Sequence, residues 1–237
     1  NTHHACICLS WKVSEMKVRP EVVVFDFDYT LADSSDGVID CVQSSQQQMD
    51  LPVSDPESIR RTIGLSVPDT LACLNGEHLR VRSDEFGQLF RSRADEVMVG
   101  HTRLYDGVPQ MLAALADNDI TCAIATTKYR YRIEQILTRD GLMDAIAAIV
   151  GAEDVQAHKP DPACLVCALE RLRFSPRQAI YVGDSAPDAE AAQRAGIGFV
   201  LVETGLAAPE TFEIFPRLTQ LAHVRDLPAW LAGMETE

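Results

Sequence analysis

The sequence predicts an α/β protein: a central, mainly parallel β-sheet with helices packed on it, and an all-helical segment inserted early in the chain. Three observations carry this. Short apolar, β-branched runs such as Val22-Val23-Val24-Phe25 alternate with stretches of helical periodicity, the texture of a parallel sheet with crossover helices. Several runs end in polar or charged residues, and in open α/β sheets ligands bind beyond such strand ends. Residues 37–103 break the alternation, being helical in pattern and free of buried-strand runs.

Composition bounds what such a chain does. Its 237 residues suit one large domain, or a core carrying a smaller insert, and 46% hydrophobic content supplies a buried core. A net charge of −14 argues against a nucleic-acid partner and against adsorption to an anionic membrane. An anionic substrate would need a locally positive pocket or a metal. No apolar run reaches the roughly 18 residues that span a bilayer. The seven cysteines are odd in number and scattered, which suits a reducing cytoplasm. Cys164 and Cys167 form a lone CxxC within a helical stretch. Without a second pair they read as buried, inert thiols rather than as a zinc or redox site.

In chain order, residues 1–20 hold His3, His4, Cys6 and Cys8 and read as a flexible leader, with Met16 as a candidate start. The strand at 22–25 then delivers Asp26-Phe27-Asp28-Tyr29-Thr30. Two carboxylates one residue apart repel each other and lose hydration when enclosed. A cation between them relieves this, or they work as nucleophile and proton shuttle; as a bland alternative, aspartates also cap turns. Helices are expected over 36–49, from Pro56 to about 63, over 68–74 and over 82–98. The second has Ser54, Asp55 and Pro56 as its start signal. Arginines of the insert, among them Arg60, Arg61, Arg82, Arg91 and Arg93, read mainly as solvated helix faces, with one or two free to meet a substrate.

Alternation resumes at Gly107 with a helix over 108–115 and a strand over 120–125. That strand ends in Thr126-Thr127-Lys128, which either opens the helix at 131–137 as a cap or offers a hydroxyl and a cation to a phosphoryl group. A strand over 144–150 precedes His158-Lys159-Pro160-Asp161-Pro162, where the prolines at 160 and 162 place Lys159 rigidly enough to neutralise the aspartate pair, the alternative being a surface loop lysine. A helix over 163–172 and a strand over 179–182 lead to Gly183-Asp184-Ser185-Ala186-Pro187-Asp188. Gly183 permits close backbone approach, and a helix over 189–195 ends at Gly196. A strand over 199–202 and packing helices over 218–224 and 227–233 complete the chain.

Four strand ends therefore carry groups suited to one task. Asp26, Asp28 and Asp184 make an oxygen-only, negatively charged site that suits Mg²⁺ better than zinc. Thr126 and Lys159 add a donor and a cation for phosphoryl oxygens, and the whole suits transfer in two displacements through an aspartyl-phosphate.

The spacing DxDxT…T…K…GDxxxD resembles that of the haloacid dehalogenase superfamily of phosphatases, from about Val22 to Val202. The resemblance implies a Rossmann-like core, here 21–36 and 104–237, with a helical cap at 37–103. It implies Asp26 as nucleophile and Asp28 as general acid/base. Mg²⁺ would be held by Asp26, the Asp28 backbone carbonyl and Asp184, with Asp188 in or near the shell. Thr126 and Lys159 would stabilise the phosphoryl group, with Thr127 and Lys128 on the substrate. Leu31-Ala32-Asp33-Ser34 and Lys159-Pro160-Asp161-Pro162 look like the phosphoglycolate phosphatase branch, which implies a small soluble phosphate as partner. Family dehalogenases lack the second aspartate, here Asp28. Phosphonate-cleaving relatives need a cap lysine, and 37–103 contains none. The β-phosphoglucomutase relatives share the core residues, and pyrophosphatases share the threonine-lysine pair. Two departures stand out: Tyr29 where most members carry Gly, and Thr127 where asparagine is common.

Overall fold

The computed structural model describes residues 19–234; the leader expected at 1–20 falls almost wholly outside them. Six parallel strands form one sheet in the order β5-β4-β1-β6-β7-β8. They are β1 (Val22–Phe25), β4 (Thr121–Ala125), β5 (Ala148–Val150), β6 (Ala179–Gly183), β7 (Gly198–Val202) and β8 (Thr219–Leu221). Two short strands, β2 (Ala32–Asp33) and β3 (Arg103–Leu104), pair antiparallel and bound the insert.

β1 lies inside the sheet, between β4 and β6, with all four residues fully buried. Its pleat sends Val23 and Phe25 into one core and Val22 and Val24 into the other. That two-sided burial is why β1 reads as a continuous apolar run rather than an alternating one. The first core receives α5 (Val108–Ala116), α6 (Arg130–Arg139) and α9 (Leu227–Gly233); the second receives α7 (Ala163–Leu172) and α8 (Ala186–Ala195).

Between β2 and β3 the chain is helical: α1 (Ser35–Gln48), α2 (Pro56–Arg60), α3 (Val67–Asn75) and α4 (Ser83–His101), with a 3-10 turn before α4. Asp55 and Ser66 cap α2 and α3 through their side chains, each with proline in the first turn. The helices enclose their own cluster of Val42, Met49, Ile59, Leu71 and Phe86.

Three expectations need correction. Residues 218–224 form no helix. Thr219–Leu221 pairs with β7 as β8 and a 3-10 turn follows, because the open edge of β7 rewards an extended partner and a seven-residue apolar window does not fix helix or strand. The strand expected over 144–150 is Ala148–Val150 alone, since Met143–Ala145 is a 3-10 turn at the sheet's edge. α8 begins at Ala186 rather than 189: Ser185 caps it and Pro187 suits its first turn. Of the described cysteines, Cys41, Cys122 and Cys164 are buried, whereas Cys73 is exposed and Cys167 half-buried. Burial pushes the Cys41 and Cys122 thiols up to about 12, so neither is a ready nucleophile. Among the described residues no helix is long and apolar enough to cross a membrane.

Candidate active site

The predicted residues converge at the carboxyl edge of β1, β4 and β6. Asp26 continues β1, its amide donating to the Val182 carbonyl of β6 at 2.9 Å. Thr126 follows β4, and Asp184 follows β6. Lys159, from the loop before α7, is the electrostatic hub: its Nζ lies 2.8 Å from Asp26 Oδ1 and 2.6 Å from Asp188 Oδ1. Against the push of burial, the ammonium facing Asp26 Oδ1 draws the pKa of that carboxyl downward. Burial alone would lower the Lys159 pKa, but Asp188 and Asp26 outweigh it and hold the ammonium charged.

Asp188 is fully engaged. Its Oδ1 takes the Lys159 ammonium and sits 2.9 Å from the Tyr181 hydroxyl; its Oδ2 accepts from the Ser185 amide at 3.0 Å and hydroxyl at 2.5 Å. Such saturation suits a residue that positions the lysine. Gly183 makes this possible, since a Cβ there would lie 2.7 Å from the Asp188 side chain. Carboxylate oxygens of Asp26, Asp184 and Asp188 can gather within 4.8 Å of one another. Burial, then the charges of Asp188 and Asp26, push Asp184 well above the carboxylate range; burial, partly offset by Lys159, pushes Asp26 up to about 6. One lysine against three buried carboxylates leaves two negative charges, which a divalent cation neutralises. The oxygen-only donors suit Mg²⁺ in kind, and Asp26 and Asp184 retain the free acceptor oxygens.

The Asp28 carboxylate stands outside that cluster. It accepts from Ser34 Oγ at 2.6 Å and from Lys128 Nζ at 3.0 Å, and Lys128 also reaches Ser34 Oγ at 3.1 Å. Lys128 thus meets Asp28, a partner its sequence position did not suggest. Thr126 Oγ1 accepts from the Lys128 amide at 3.3 Å, and beside burial and Lys159 its hydroxyl is a minor influence that lowers the Asp26 pKa. Thr127 lines a recess of about 90 Å³ with Asp28, Lys128 and apolar insert side chains such as Val42 and Phe86. A larger cleft of about 320 Å³ runs between Asp184, Tyr29 and the insert residues Arg60 and Arg61.

Sequence reasoning overlooked four neighbours. Thr30 Oγ1 donates to Asp184 Oδ1 at 3.2 Å; Ser34 holds Asp28; Tyr181 supports Asp188; Gly205 packs so closely on Asp184 that no Cβ fits. The signals available were Thr30 as the last residue of DxDxT, Ser34 in the Leu31–Ser34 stretch, and a tyrosine inside the otherwise aliphatic β6. Tyr29 has φ 60°, in the left-handed region that disfavours side chains, and this is the backbone reason a glycine serves at such a turn.

A parallel sheet with buried carboxylates and a buried lysine at its carboxyl edge defines an α/β protein with an acidic, oxygen-rich pocket that could hold a metal ion. The chain belongs to the haloacid dehalogenase-like hydrolases, whose family model matches residues 23–202. Its similarity runs to the phosphatases of that family. It is 29% identical over 195 residues to N-acetylmuramic acid 6-phosphate phosphatase of Pseudomonas aeruginosa, covering 82% of this chain and 86% of that protein. It is also 29% identical over 195 residues to phosphoglycolate phosphatase of Rhodospirillum rubrum, covering 78% and 80%. A crystal structure assigned as a haloacid dehalogenase-like hydrolase from Bacteroides fragilis superposes with TM-score 0.84 at 34% identity, over 88% of this chain and 99% of that one.

Proposed function

We propose that this protein is a Mg²⁺-dependent phosphomonoesterase that works through an aspartyl-phosphate on Asp26, with a small, phosphoglycolate-like substrate. The observation that carries the reading is Lys159 held between Asp26 and Asp188 beside Asp184. An Asp26 oxygen attacks phosphorus while Asp28 gives a proton to the departing ester oxygen. Asp28 then takes a proton from water, which attacks the acyl-phosphate and frees inorganic phosphate. Lys159 and Thr126 stabilise charge on the phosphoryl oxygens, and Lys128 with Ser34 orients Asp28. Bound by Asp26, Asp184 and the Asp28 carbonyl, with Asp188 at its edge, Mg²⁺ would offset carboxylate charge so that an anionic ester can approach. The insert at 37–103 acts as the cap that closes over the site and excludes water from the first displacement.

The relatives named for phosphoglycolate and for N-acetylmuramic acid 6-phosphate are both phosphatases of acid-bearing phosphomonoesters, which supports an anionic phosphomonoester as substrate. The test is phosphate release from phosphoglycolate, pyrophosphate, hexose phosphates and nucleotides, with Mg²⁺ and with EDTA. Release that requires Mg²⁺ and disappears in Asp26→Asn, with the fold intact by circular dichroism, is the expected result. Substantial turnover by that variant would sink the assignment, and isomerised sugar phosphate without release would indicate a mutase instead.

A further inference from the structure

Strand β6 carries a polar group where its pattern calls for an aliphatic one. Tyr181 is fully buried on the face packed by α7 and α8, in register between Val24 of β1 and Phe199 of β7. Its ring tilts against Phe199 with centroids 6.3 Å apart, packing that a phenylalanine would supply as well. The hydroxyl therefore has another reason to be there, because a buried polar group is unfavourable unless partners meet it. Its partners belong to the site or adjoin it. Lys159 Nζ donates to the hydroxyl at 3.2 Å, and the hydroxyl lies 2.9 Å from Asp188 Oδ1 and 3.0 Å from the Ala125 carbonyl. Ala125 ends β4 and directly precedes Thr126. One oxygen from β6 thus touches the lysine loop, the first turn of α8 and the end of β4.

An ammonium has three N–H donors and no acceptor. Asp188 takes one at 2.6 Å and Tyr181 a second, in a lysine whose side chain is only 2% exposed. The third is left for the side of Asp26, whose Oδ1 lies 2.8 Å from Nζ. With Asp188 as its one fixed acceptor, the ammonium would be free to turn about that contact; the phenol oxygen removes this freedom. We propose that Tyr181 is a positioning residue for phosphoryl transfer: its hydroxyl, anchored at the Ala125 carbonyl, fixes the direction of the Lys159 ammonium relative to Asp26 and Thr126. This rests on the phosphatase reading and adds the group that aims its lysine. Because Thr126 follows Ala125, the two groups that face the phosphoryl oxygens share one support, and a donor set in place beforehand needs no reorganisation as charge develops. The ring itself lies 5.9 Å from Nζ, so its attraction for the ammonium survives when only the hydroxyl is removed.

The experiment removes that one oxygen. Tyr181→Phe keeps the ring and its packing, and Phe199→Leu, on the neighbouring strand, is the control for packing alone. Hydrolysis of p-nitrophenyl phosphate with Mg²⁺ is measured for both, together with calorimetric binding of orthovanadate and of inorganic phosphate. Tyr181→Phe is expected to lower kcat by about tenfold or more while KM stays near that of the wild type. It should also weaken orthovanadate, which takes up the shape of the transferring group, more than inorganic phosphate. Phe199→Leu should lower the thermal midpoint and leave kcat and the ratio of the two anion affinities unchanged. Equal loss of both anions in Tyr181→Phe, or the same kinetic loss in both variants, overturns the positioning role. A crystal structure of Tyr181→Phe decides it separately: should no ester be hydrolysed, the phosphatase reading fails, while a Lys159 Nζ displaced by less than about 0.5 Å overturns the role and a larger displacement supports it.

Discussion

At the scale of single residues the site is an electrostatic problem only partly solved by the protein. Asp184 is buried and faces two further carboxylates, so its carboxyl binds a proton more tightly folded than unfolded. The sign follows from that. A raised carboxylate pKa favours the fold at low pH and weighs against it once the pH exceeds the unfolded value of 3.8. Asp26 adds to the penalty as pH rises from 3.8 to about 6. Asp184→Asn should therefore raise the thermal midpoint in EDTA at neutral pH, and Mg²⁺, which should raise the midpoint of the wild type, should no longer do so. A variant less stable than wild type in EDTA would mean that the repulsion is already balanced by other groups.

At the scale of elements, the candidate site residues are held firmly because strand ends and helix starts are. Ser185 ends the β6 turn and caps α8, and the reciprocal bonds between Ser185 and Asp188 fix the side chain that in turn holds Lys159. Gly183→Ala tests this coupling. Its new Cβ would overlap Asp188 at 2.7 Å, so the helix start must shift. The expected loss is about 1–3 kcal/mol of stability, measured by denaturant unfolding. A larger relative loss of turnover should follow from displaced Lys159. Strand β1 and the turn after β6 were legible in the sequence because their burial and caps are local. β8 was not, because Thr219–Leu221 becomes a strand only by docking on the edge of β7, about twenty residues away.

At the scale of the molecule, the insert is joined to the core by the two short strands β2 and β3, paired through Ala32–Leu104 and Asp33–Arg103. A second tie runs from α6 to α4: Asp95 takes the buried Arg132 at 2.8 Å and the Tyr131 hydroxyl at 2.5 Å, with Arg132 stacked near the rings of Tyr129 and Tyr131. The proposed closure of the insert would be read at residues 61–66, which link α2 to α3 and supply Arg61, Ile63, Gly64 and Leu65 to the lining of the cleft beside Asp184. Mg²⁺ with orthovanadate, a phosphoryl mimic, should slow amide hydrogen exchange at 61–66 while leaving α7 unchanged. Equal protection of both would indicate general stabilisation in place of closure.

The sequence by itself determined the class of sheet, the helical insert and the candidate residues Asp26, Asp28, Thr126, Asp184 and Asp188, which follow strands or a glycine turn, with Lys159 marked by its proline-rich loop. Tertiary structure alone decided their division of labour. Asp28 turns away to Lys128 and Ser34; Asp188 is consumed by Lys159, Tyr181 and Ser185; Thr30 and Gly205 close on Asp184. Those partners lie on different strands and loops, up to 154 residues apart in the case of Thr30 and Asp184. Local pattern reports which residue ends a strand, whereas charge pairing and burial depend on what the folded chain brings alongside it.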